Sequence, residues 1–199
     1  MTRRDRRDDA GQAFPIYITV VGGLLFLAFV YFAVGQASAN RNSAQTAADA
    51  AALAAAQDTR DQLAGMWIEE VLKPDKWQNI FDGDVTGLEP SCWRSEQLAS
   101  RNDARVLSCT PEGFLGFTVA VESNDTVGDS IVPGTEDKRS NASATAVIEA
   151  KCTFELPAED SGDDVLPQLA CQDKEWDLDP EDLVDLPKAE ELFDVHLAD

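Results

Sequence analysis

FPIYITVVGGLLFLAFVYFAV, residues 14–34, is 21 residues long and carries no formal charge. As a helix rising about 1.5 Å per residue it spans roughly 30 Å, the thickness of a bilayer core. The run continues into QASANRNSAQTAADAAALAAAQDTRDQLAGMWIEEVL, residues 36–72, which holds no proline and one interior glycine, Gly65. Pro15 suits the first turn of a helix, and Pro74 forbids its continuation. One helix over residues 15–72 would be roughly 85 Å long, half in lipid and half standing above it. A cleaved secretory signal is the competing reading, with Gln36-Ala-Ser-Ala39 as its nearest cleavage site. The run is long for a signal core, and that site lies inside a strong helix pattern. The expectation is therefore a retained transmembrane helix over 14–35 and an alanine-rich helical extension over 36–73.

Charge sets the orientation. Arg3, Arg4, Arg6 and Arg7 lie in a short basic head, residues 1–13, and the first arginine after the run is Arg41. Orientation follows Lys and Arg counts near the span and largely ignores Asp, so the head is expected to be cytoplasmic and the rest outside. Residues 1–34 carry four arginines and three aspartates, while the remaining 165 residues carry 12 basic and 34 acidic ones. A nucleic-acid partner needs a basic footprint, so that class is excluded. The acidic surface reads first as solvated and repulsive, and second as a collector of cations or basic cell-wall components.

All four cysteines, Cys92, Cys109, Cys152 and Cys171, lie in the part expected outside. There is no CxxC pair, so zinc and redox motifs have little support. An even count in a small exported domain reads as disulfides, with three possible connectivities. Pairing 92 with 109 and 152 with 171 is preferred, because each closes a short loop beside an expected strand.

The extension changes face along its length. Ala37, Ala44, Ala48, Ala51 and Ala55 form a stripe of small side chains at helical spacing. Higher up, Leu53, Ala56, Leu63, Trp67 and Val71 form a larger apolar stripe. A small-residue stripe lets another backbone approach closely. The lower half is accordingly expected to pack on neighbouring helices and the upper half to dock its own domain. The competing explanation is an exposed stalk in which alanine marks only helix propensity.

The head from Arg4-Asp5 to Gln12, the apolar run and the segment Ser43-Ala-Gln-Thr-Ala-Ala-Asp-Ala-Ala-Ala-Leu-Ala-Ala-Ala56 together resemble the TadE/TadG-like proteins. These are pilin-like membrane proteins of tight-adherence (Flp) pilus systems. The resemblance covers residues 1–60 and implies a pilin-like, single-pass component of a pilus-assembly or secretion machine. Its implied partners are the membrane, other helical envelope or pilus-machine proteins, and self-association. Type IV-type prepilins carry a glutamate five residues after the processing glycine. If Gly11 were that glycine the position is Ile16, and no acid occurs between Asp9 and Asp49. The D-x-S-x-S metal motif of larger TadG-like members is also missing.

Residues 74–154 read as a small α+β domain. Arg105–Cys109, 114–122 and 142–154 are expected strands, the last two pairing antiparallel and carrying the helix on one face. Residues 155–199 hold sixteen acids and two lysines and read as an acidic tail. Within it Ala189, Leu192, Phe193, His196 and Leu197 have the spacing of a short C-terminal helix. Asp173 to Asp182 resembles a calcium loop in composition only. The single histidine is His196, and no nucleophile elbow, dinucleotide fingerprint, phosphate loop or zinc-protease motif occurs. No catalytic, cofactor or metal residue is assigned, and neither an enzyme nor a small-molecule substrate is expected. The fold class is α+β, a long N-terminal helix on a small antiparallel sheet. The leading function is a pilin-like structural or assembly component. The alternative is a membrane-anchored binding module whose acidic domain captures a partner or ligand.

Overall fold

The alanine-rich run has the residues that a long helix favours, and nothing before Pro74 interrupts it. In the computed structural model, described here for residues 13–126, 137–156, 165–172 and 174–198, it forms one 57-residue helix, α1 (Ala13–Glu69). The leading arginines Arg3, Arg4, Arg6 and Arg7 lie outside the described residues, as does the side chain of Ala37. A 3-10 turn at Pro74–Lys76 follows α1 and leads into α2 (Trp77–Phe81). At this corner Glu70 pairs with Lys73 at 2.7 Å and Lys76 at 2.9 Å. The Lys73 ammonium, then that of Lys76, holds the Glu70 carboxyl below its ordinary range.

Helix α3 (Cys92–Arg101) and strands β1 (Ala104–Pro111), β2 (Gly116–Thr126) and β3 (Arg139–Ala150) build the domain. Asp103 takes a left-handed φ of 52° to turn from α3 into β1. The three strands pair antiparallel in sequence order. A fourth strand, β7 (Phe193–Leu197), pairs antiparallel with β3, giving the order β1-β2-β3-β7. The period of two decides which face is buried. Phe117, Val119 and Val121 of β2 and Ala146 and Ile148 of β3 point into a core shared with α1, while Thr118 and Thr145 join their hydroxyls at 2.7 Å on the other face. The architecture is α+β, a long helix laid across an antiparallel sheet.

Two expectations are corrected. The strand expected over 142–154 stops at Ala150. Cys152–Phe154, as β4, turns into a second antiparallel sheet with β5 (Leu169–Cys171) and β6 (Lys174–Trp176). The region 155–199 is not a tail beside the domain, because it supplies β5, β6 and β7. Among its described residues only Ala189–Leu192 is helical, as the short α4, and Phe193 to Leu197 is extended. Phe193 and Leu197 are four apart, a spacing that a helix face and a strand face share, and pairing with β3 settles it for the strand. The aromatic corner explains the choice. Phe193 is buried, 5.6 Å from Phe81, and Phe81 and Trp77 both meet Phe154, at 6.0 and 5.1 Å. Burying one such ring is worth about 1.5–3 kcal/mol. Of the stretch resembling a calcium loop, Asp173 lies outside the described residues, Lys174–Trp176 is β6, and Asp179 bridges Asp182.

Candidate functional site

Two surfaces of α1 and two covalent ties carry what the molecule offers. The first surface is the apolar span. Ile16, Leu24, Phe26, Leu27, Tyr31 and Phe32 all stand more than half exposed, and no part of the most apolar window is buried within the protein. Single exposed apolar residues are ordinary on a protein surface, but a contiguous sleeve around a whole helix is not. Such a sleeve suits an apolar solvent, and a helix satisfies its own backbone groups there. Thr19, the one threonine of residues 14–34, donates its hydroxyl to the Pro15 carbonyl oxygen at 2.6 Å and so satisfies its polarity within the helix.

The second surface is the alanine seam. Ala44, Ala48, Ala51 and Ala55 are buried, together with Ala47, Ala52 and Ala56. Their partners are β2, β3 and α3 of the same chain. The lower half of the extension was expected to pack on neighbouring helices, and this is corrected: from Ala44 upward the stripe is an intramolecular seam. Spacing shows that a face is close-packed but not whose backbone approaches it. The approach is close because α3 answers with small residues of its own. Ser95 donates to the Ala51 carbonyl oxygen at 2.9 Å, Ala99 is buried, and Ser91 meets Thr59 at 2.7 Å. Above the seam Leu63, Trp67 and Val71 enter the same core, as expected, with Trp67 5.2 Å from Trp77.

The disulfides are Cys92–Cys109 and Cys152–Cys171, the pairing preferred from loop length. The first ties α3 to the edge strand β1. The second crosses β4 and β5 at directly paired positions. Both suit an oxidising, extracytoplasmic compartment. Helix α3 was not foreseen. Its buried stripe, Ser95 and Ala99 preceded by Ser91, is made of small residues, and only their i, i+4, i+8 spacing could have revealed it. Among the described residues no group of three or more His, Cys, Asp or Glu is placed to hold a metal ion.

Residues 11–58 match the family model of the TadE/G-like Flp pilus-assembly domain. The match therefore covers the apolar span and the alanine seam and ends before Leu63, Trp67 and the sheet. No curated protein and no solved structure matches the chain.

Proposed function

We propose that the protein is a pilin-like, single-pass component of a Tad/Flp-type pilus or secretion machine, structural rather than enzymatic. The observation that carries the reading is that the TadE/G-like match lies over the apolar span and the seam that fixes the span to its domain. In this reading the head is cytoplasmic, the span crosses the plasma membrane once, and the disulfide-bonded domain stands outside. Helix α1 runs without a break from the anchor into the domain, so in this reading a force or tilt applied to one is delivered to the other. Retention of the span is part of this reading, supported by the unbroken run of α1 through Ala39, the nearest cleavage position.

The test is a pull-down of the intact protein from mild detergent, read by mass spectrometry. A secretion ATPase and its polytopic platform proteins should co-purify above a control in which residues 14–34 are replaced by an unrelated span. Recovery of the chain without any such component would refute the assignment to that machine.

A further inference from the structure

The four-stranded sheet is closed unevenly. On one side β3 pairs with β2 from Gly116↔Val147 down to Thr126↔Arg139. On the other, β7 pairs only with Ala146 to Ala150, and the Ala198 amide adds one bond to the Thr145 carbonyl at 2.8 Å. Below that, residues 139–144 of β3 have no strand beside them among the described residues. The direction of their backbone groups can be read from the bonds nearby. Even-numbered residues face β2: the Ile148 amide bonds the Leu115 carbonyl, and the Ser140 amide bonds the Ser123 hydroxyl. Odd-numbered residues face the β7 side, as the bonds of Thr145 and Lys151 show. The peptide groups of Asn141 and Ser143 therefore point into the open position.

That position is a groove of about 430 Å³ lined by Gln45, Asp49, Ser143, Thr145, Leu197 and neighbouring alanines. The Gln45 side-chain amide reaches the Ser143 carbonyl at 3.4 Å and the Asp49 carboxylate at 2.8 Å. It fills, loosely, the place of a strand's N–H. We infer that this is a docking slot for an extended basic segment of another protein, which adds a strand to β3 in line with β7. Main-chain bonds to Asn141 and Ser143 supply the affinity of such an addition. Charge decides the occupant. Asp49 is the acidic side chain lining the groove, and the chain beyond residue 34 carries 34 acidic and only 12 basic residues. A second copy would bring like charge, so a basic partner is favoured. The slot lies eleven to fifteen residues above Val34, roughly 17–22 Å above the end of the apolar span, within reach of another membrane-anchored neighbour. This inference goes beyond the pilus reading, and a pull-down without Tad components would leave it standing.

The probe is a fluorescent eight-residue peptide of alternating lysine and valine, added to the full chain in uncharged lipid nanodiscs and followed by anisotropy. Binding should be saturable. Ser143→Pro should weaken it about tenfold or more, because proline removes the slot-facing N–H while leaving the β2 ladder intact, and an edge strand tolerates it there. Ser143→Ala should bind as the parent does. Asp49→Lys, which leaves the strand untouched, should also weaken binding about tenfold and shift the preference to a glutamate–valine peptide. Equal binding by Ser143→Pro would mean simple adsorption to an acidic surface and would overturn the slot, as would absence of saturation up to about 1 mM. Photo-cross-links from position 141 that join two copies of the chain would assign the groove to self-association instead and overturn the basic partner.

Discussion

The two halves of α1 obey opposite size rules. In the lower half, residues 16–34, large side chains stand outward on every face. In the upper half, from Ala44, the buried residues begin as alanines and become Leu63 and Trp67 only near the top. Lipid is an apolar solvent and accepts a bulky sleeve, whereas a sheet and a second helix that meet one helix at close range need the smallest side chains on it. One element thus has two kinds of surface, and the change occurs between Val34 and Ala44 without a break in the helix.

The comparison can be broken by exchanging sizes. Trp67→Ala should cost about 3–5 kcal/mol of domain stability, since it empties a fully buried site beside Trp77. Phe26→Ala, another aromatic-to-alanine deletion but in the exposed apolar run, should leave the domain's denaturant midpoint unchanged. Tryptophan fluorescence during urea titration in detergent reads both. Removing the second covalent tie by replacing Cys152 and Cys171 with alanine should cost about 3 kcal/mol, the effect of opening a loop of 19 residues. The same titration measures it, with peptide mapping to confirm that Cys92 and Cys109 stay joined. Ala51→Leu should cost about 1–3 kcal/mol by overfilling the seam where α3 crosses, whereas Gln57→Leu, on the exposed face, should change little. Smallest is Gly65→Ala, expected to add about 0.5–1 kcal/mol. Gly65 is helical, and an added Cβ meets nothing within 4 Å.

Much of this was legible because it depends on local pattern. An uncharged run of 21 residues and a proline-free sequel give a long helix whatever surrounds them. Alternation at Phe117, Val119 and Val121 gives β2. Four cysteines on one side of the span give two disulfides. What was not legible depends on partners distant in sequence. The alanine stripe announced close contact, but only the fold shows that β2, β3 and α3 supply it. Phe193 and Leu197 satisfy both periods, so the strand at 193–197 exists because the edge of β3 is there to pair with it. The acidic composition of 155–199 suggested a tail, yet a few buried residues, Leu169, Trp176, Leu192 and Phe193, suffice to bind it to the domain. The open side of β3 is likewise invisible in sequence, being set by where β7 ends.

In the proposed topology one continuous helix anchors a domain outside the membrane while its head stays inside. Labelling of intact cells with an impermeant thiol reagent tests it most directly, using Asp5→Cys in the basic head and Glu112→Cys in the exposed β1–β2 turn. Position 112 should be labelled in intact cells and position 5 only after permeabilisation. Labelling of position 5 in intact cells with position 112 protected would contradict it.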